Sequence, residues 1–103
     1  MKPLLIALVL AYKMVVVATA YTPAECPNQY TATGTIPHIG TVAVDPSVIP
    51  YGTRMYIPGY GYGVAEDCGG DVKGVRIDVF MFDHSKAMEW GRHPVEIEVL
   101  KEE

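Results

Sequence analysis

A chain of 103 residues, half of them apolar, 19% charged and with a formal net charge of −4, has the size of one small domain and is too apolar for a disordered tail. Its eight Lys and Arg are scattered singly, so there is no clustered positive charge to track phosphates, and nucleic acid is excluded as a partner. Ten glycines and eight prolines spread along the chain predict many tight turns between short strands, the composition of a small β-rich barrel or sandwich.

The N-terminus carries two apolar runs, residues 4–11 and 14–18, separated by Tyr12-Lys13. A spanning helix needs about 20 apolar residues, and a lysine at its centre costs about 3 kcal/mol, so no stable membrane span is expected. Lys2 ahead of the first run resembles a secretory signal, whose apolar region is about 7 to 15 residues long. Residues 1–12 are therefore expected to be a short export segment and 13–103 a single barrel domain. Ala18-Thr19-Ala20 offers a small-x-small cleavage pattern, but the β-branched Val15-Val16-Val17 reads as a buried strand of the mature domain that continues to Thr22. The alternative is a buried strand or helix at the start of a cytosolic domain.

Residues 22–40, rich in Pro, Gly, Thr and Asn and without a period, predict a long surface loop. Thr41-Val42-Ala43-Val44 predicts a buried strand stopped by Asp45-Pro46, and Pro50-Tyr51-Gly52 a turn. Residues 54–57 and 62–65 flank Pro58-Gly59-Tyr60-Gly61 as the arms of a hairpin. Residues 66–70 are expected to break the sheet and 75–81 to resume it. Asp83 or Ser85 can cap a short helix through Trp90 that Gly91 ends, and the alternation of Val95-Glu96-Ile97-Glu98-Val99-Leu100 predicts a last strand with one buried face. The sum is about six strands and one helix, and closure into a barrel would remove the exposed edges.

Three aspartates stand out: Asp45 after one strand, Asp67 at the end of another, and Asp78 inside a third. Asp78 is the least ordinary, because Ile77, Val79 and Phe80 draw it toward the core, where an unpaired carboxylate is costly. For Asp45 and Asp67 the competing reading is an Asx-turn, in which the side chain binds nearby backbone N–H groups. Convergence of the three would raise one pKa and give a carboxylic acid able to protonate a glycosidic oxygen.

The remaining polar candidates are weaker. His38, His84 and His93 lie far apart with no co-ligand spacing and read as solvated loop residues, so no metal and no cofactor is expected. Cys26 and Cys68, 42 positions apart, permit one disulfide worth about 4 kcal/mol in the chain-entropy model; two buried free thiols are the alternative. No serine has a nucleophile-elbow context. Of Tyr30, Tyr51, Tyr56, Tyr60, Tyr62 and Trp90, at most two are expected to line a sugar groove.

The runs from Thr41 to Thr53, from Gly59 to Gly70 and from Lys73 to Phe80, followed by Ala87-Met88-Glu89-Trp90-Gly91-Arg92, resemble the three-aspartate, or 3D, domain in the same order. That resemblance covers residues 14–100 and implies a mainly β fold: a six-stranded double-psi β-barrel of the barwin type with one short helix, related to the catalytic core of the membrane-bound lytic transglycosylase A family. It implies an exported, extracellular or cell-wall location, or a phage origin, and peptidoglycan glycan strands as the partner. The family's aspartates match Asp45, Asp67 and Asp78. Asp78 would be the general acid and base at the bond between N-acetylmuramic acid and N-acetylglucosamine, forming a 1,6-anhydro product. Asp67 and Asp45 would tune it and hold the sugar, with Thr33, Gly34, Gly69, Gly70 and Lys73 lining the groove. Cys68 departs from the family's usual Thr, and a disulfide there would stiffen the rim. The competing functions are a noncatalytic, expansin-like wall-binding barrel, a phage-encoded wall-lytic accessory protein, and a hydrolytic, lysozyme-like enzyme.

Overall fold

A computed structural model describes residues 7–26 and 29–103. The elements run β1 (Leu8–Tyr21), a 3-10 turn (Pro23–Glu25), β2 (Thr41–Val44), β3 (Arg54–Ile57), β4 (Gly61–Asp67), β5 (Arg76–Phe80), α1 (His84–Trp90) and β6 (His93–Glu102). Six strands close into a barrel in the order β1-β5-β2-β4-β3-β6. The β1–β5 and β2–β4 pairs are parallel and the other four are antiparallel. The fold is thus mainly β with one helix, as the sequence leads one to expect, and closure pairs the short central strands on both sides.

Period-two patterning sets what faces inward. On β5, Ile77 and Val79 are fully buried in the barrel, together with Val16 and Ala18 of β1, Val42 and Val44 of β2, and Ile97 of β6. The alternate positions face outward, where Tyr21, Ala43, Phe80 and Val72 form a second, smaller cluster. Gly63 of β4 shows how tightly the interior is filled: a Cβ there would stand 2.7 Å from Val42 Cγ2 and 3.3 Å from Ile57 Cδ1. Gly63→Ala is accordingly expected to overpack the core and lower stability by about 1–3 kcal/mol, read as a drop in Tm. An unchanged Tm would contradict this packing.

Three local expectations change. β1 begins at Leu8, pairing Leu8 with Glu102 and Leu10 with Leu100, so the strand overlaps the 1–12 run expected as an export segment, of which residues 1–6 lie outside the described residues. The valine run is buried on one face only, with Val15 57% exposed and Val16 1%. Residues 66 and 67 do not break the sheet but complete β4. The helix follows its caps: Asp83 Oδ1 accepts from Ser85 N at 2.8 Å and Lys86 N at 3.4 Å, and Gly91 ends it at φ 63°. No helix among the described residues is long and apolar enough to cross a membrane.

Candidate active site

The strand registers lay four side chains in one row. Thr19 of β1 pairs with Asp78 of β5, Asp78 pairs with Ala43 of β2, and Ala43 pairs with Asp67 of β4. Residues opposite one another in a ladder share a face, and here it is the outer one, since Ala18, Ile77 and Val42 fill the interior. Asp67 reaches this row through a β-bulge: Val42 pairs with Ala65 but Ala43 with Asp67, leaving Glu66 as the extra residue. The two aspartates therefore flank Ala43 from strands two apart, roughly 10 Å between backbones at ordinary strand spacing. Between them Ala43 is buried, packed with Tyr21, Phe80 and Val72, and the Tyr21 side chain reaches from β1 to Asp67.

The two carboxylates are in opposite electrostatic situations. Asp67 is saturated with donors: the Tyr21 hydroxyl donates to Oδ2 at 2.9 Å, and the Ala32 and Cys68 amides donate to Oδ1 at 3.0 and 2.9 Å. Three donors satisfy both of its oxygens and fix its orientation. Among the described residues, Asp78 accepts only from the Thr19 hydroxyl, at 3.1 Å on Oδ1. Burial pushes its pKa up to about 6; the Thr19 bond and Arg76 pull it back, while the charges of Glu25 and Asp67 add to the rise. The Tyr21 hydroxyl is held far above its ordinary range by burial and by Asp67, so it stays a donor.

Asp45 stands apart. Its Oδ1 accepts from the Ser47 amide at 3.0 Å and the Ser47 hydroxyl at 2.6 Å, and its Oδ2 from the Gly74 amide at 2.8 Å. These bonds, the Ser47 hydroxyl first, hold its pKa down to about 2, with Lys73 adding a favourable charge. The Asx-turn reading describes this residue: it ties the end of β2 to the turn that precedes β5, and it is not among the charges that act on Asp78. Because its folded pKa lies below the unfolded value, its stabilisation is present above about pH 4 and is lost as pH falls toward 2.

The remaining candidates divide between the two regions. Thr33 binds the loop to the bulge, its hydroxyl donating to Glu66 O at 2.9 Å and its amide at 3.2 Å. Gly34 turns the loop at φ 89°, donating to Thr31 O. Gly69 accepts from the Val72 amide and leaves only 3.2 Å between a would-be Cβ and Val72 Cγ2, whereas Gly70 faces open space. Lys73 stands by Asp45 rather than in the row.

The disulfide expected between Cys26 and Cys68 is not formed: both are free thiols. Each has different surroundings, Cys26 Sγ donating to Tyr30 O at 3.8 Å while Cys68 neighbours Tyr51 and is the first cause of that hydroxyl's pKa being pushed up to about 12.

Residues that the sequence did not single out complete the site. Glu66, only 8% exposed, accepts the Thr41 hydroxyl at 2.6 Å and lies 3.0 Å from His38 Nε2, so His38 is a paired residue rather than a merely solvated one. Thr19 and Tyr21 were hidden because their partners lie 59 and 46 residues away. Tyr60 and Trp90 stack edge to face at 6.1 Å beside a cavity of about 680 Å³ under α1, which none of the four row residues lines. Among the described residues no His, Cys, Asp or Glu cluster is arranged to hold a metal ion.

Comparison with known proteins gives a family match and several similar chains. A family model described as the 3D domain matches residues 40–101. Two proteins of Bacillus subtilis (strain 168) are similar: YabE, named for cell wall shaping, is 44% identical over 93 residues, and the cell wall-binding protein YocH is 43% identical over 93 residues. The matches take in 84% and 85% of this chain but only 23% and 32% of those proteins, so the chain spans about a quarter to a third of their length. Among solved structures, MltA from Escherichia coli, described as having a lytic transglycosylase fold, is 26% identical at a TM-score of 0.59, over 72% of this chain and 28% of that one.

Proposed function

This chain belongs to the 3D domain family, and from that premise and the row of carboxylates we propose that it cleaves the glycan strand of peptidoglycan as a lytic transglycosylase. The observation that carries the reading is the asymmetry of Asp67 and Asp78 on one outward face: a carboxylate held by three donors and a half-buried carboxyl whose pKa is lifted to about 6. Two carboxyl groups in such different surroundings are how one site supplies both an acid and a charge stabiliser. The similarity to MltA supports the same chemistry, and the names of YabE and YocH support a wall-associated location.

The steps follow from the row. A muramyl ring lies along the outer face beside Asp78, and protonated Asp78 donates its proton to the glycosidic oxygen as the bond to the muramyl C1 breaks. Positive charge develops on the ring and is met by the anion of Asp67 across it. The ring's own C6 hydroxyl closes onto C1 and returns its proton to the Asp78 carboxylate, leaving a 1,6-anhydro end and a restored acid. No water enters the balance. Thr33 and Gly34 serve as the wall of the groove on the Asp67 side, and Asp45 and Lys73 brace the turn before β5.

Because the acid must be protonated, the rate of fragment release from purified cell-wall sacculi is expected to fall as pH rises through about 6. Thr19→Val removes the bond that favours the Asp78 anion, so the fall moves to higher pH. An unmoved limb in Thr19→Val would contradict the assignment of Asp78 as the acid. The second reading, a noncatalytic wall-binding domain, has the name of YocH in its favour; it predicts a chain that sediments with sacculi and releases nothing at any pH.

A further inference from the structure

Beside the carboxylate row lies a cavity of about 380 Å³ whose walls include Pro23, Cys26, Gln29, Ile36, Phe80 and Phe82. Its floor adjoins the row through Phe80, which packs with Ala43. Phe80 is two residues beyond Asp78 on the same face of β5, about 7 Å along the strand, and its ring packs edge to face on Tyr21 at 5.4 Å and on Phe82 at 4.9 Å. The opposite wall comes from the loop that Asp67 holds through the Ala32 amide. Two large apolar side chains at this cavity are left in solvent, Ile36 at 71% and Phe82 at 61% exposed. Apolar groups exposed on both sides of a concave surface mark a place where something else is buried.

The chemistry of the lining narrows what that is. Proline, isoleucine and two phenylalanines suit methyl groups, and the single carboxamide of Gln29 suits an amide. A hydroxyl-rich sugar face would find too few partners there. We propose that this cavity receives the lactyl-alanyl arm of a peptide-bearing muramyl residue, so that the domain prefers glycan still carrying its stem peptides. The inference rests on the peptidoglycan reading above. The arm leaves C3 of the same ring whose C1 bond is broken, which places its methyl groups and first amide one ring's width from Asp78. A bare acetamido group is the other methyl amide on such a strand, and it is far smaller than the space.

The test separates the two sources and does not depend on turnover. In the Asp78→Asn chain, binding of a peptide-bearing murein tetrasaccharide and of chitotetraose, which has acetamido groups but no lactyl arm, is measured by calorimetry. Ile36→Asp and Phe82→Ala, both at exposed positions, are expected to weaken the peptide-bearing ligand about tenfold, the effect of uncovering two methyl groups, and to leave chitotetraose unchanged. In a Cys68→Ser background, only the peptide-bearing ligand is expected to slow maleimide labelling of Cys26, run at mildly alkaline pH because burial and Asp67 raise that thiol's pKa. Equal losses for both ligands, no loss for either, no binding of the peptide-bearing ligand, or unprotected Cys26 in its complex would each overturn the proposal. Tight peptide-dependent binding by a wild-type chain that forms no anhydro ends would instead uphold the cavity and reject the catalytic reading.

Discussion

Asp78→Asn is expected to lose fragment release by a factor of about 10² to 10⁴, the usual worth of a positioned acid and base, while making the folded domain more stable at neutral pH. The sign follows from linkage. The folded pKa is pushed up to about 6, above the ordinary unfolded value near 4, so the folded state holds its proton longer. Stability is therefore full below about pH 4, falls as pH rises toward 6, and is flat beyond. For a half-buried group reached by solvent, the loss is on the order of 1–2 kcal/mol, and a neutral Asn escapes it. Melting curves from pH 4 to pH 7 should show the wild-type Tm falling relative to that of Asp78→Asn. A variant less stable than wild type at pH 7 would mean that burial of Asp78 is compensated and that it is not held ready as an acid.

Asp67→Ala is expected to act in the opposite direction on stability. Removing this carboxylate takes a partner from three donors, the part-buried Tyr21 hydroxyl and the exposed Ala32 and Cys68 amides that water can reach, at a cost of about 1–2 kcal/mol. It also frees the loop from the row, because the Ala32 amide loses its only bond to β4, although Thr33 keeps its bonds to Glu66 O. Hydrogen exchange at Ala32 should accelerate far more than at core amides such as those of Ile77 and Val79, and fragment release should drop with the anion gone. Tyr21→Phe removes one of the three bonds and should cost about 1 kcal/mol. Unchanged exchange at Ala32 in Asp67→Ala would show that the loop is held by other contacts and that Asp67 is not its anchor.

What the sequence makes legible is what is local. Thr41–Val44 and Arg54–Ile57 are strands at the positions their β-branched and apolar runs predict, and Asp83 caps the helix that Gly91 ends. Asp78 draws notice for a physical reason, a charge inside an apolar strand, and it is half-buried with a raised pKa. What stays hidden depends on register between distant strands. No local pattern says that Thr19 will face Asp78 through a parallel pairing, or that one extra residue at Glu66 will bring Asp67 level with Ala43. The same limit applies to β1: an apolar run behind a lysine looks the same in a secretory signal and in a strand whose partner, β6, lies at the far end of the chain. Asp45 is the converse case, where a local rule, Asp ahead of Pro and Ser, accounts for the carboxylate through its own turn.

The most direct test of the account is mass spectrometry of the glycan ends released when purified sacculi are incubated with the wild-type chain near pH 5. Muramyl ends in the 1,6-anhydro form, one water lighter than a reducing end, are expected, and none from Asp78→Asn. Reducing muramyl ends would mean that a water rather than the ring's own hydroxyl attacks C1, and the absence of any released ends would mean that the row binds the wall without cutting it.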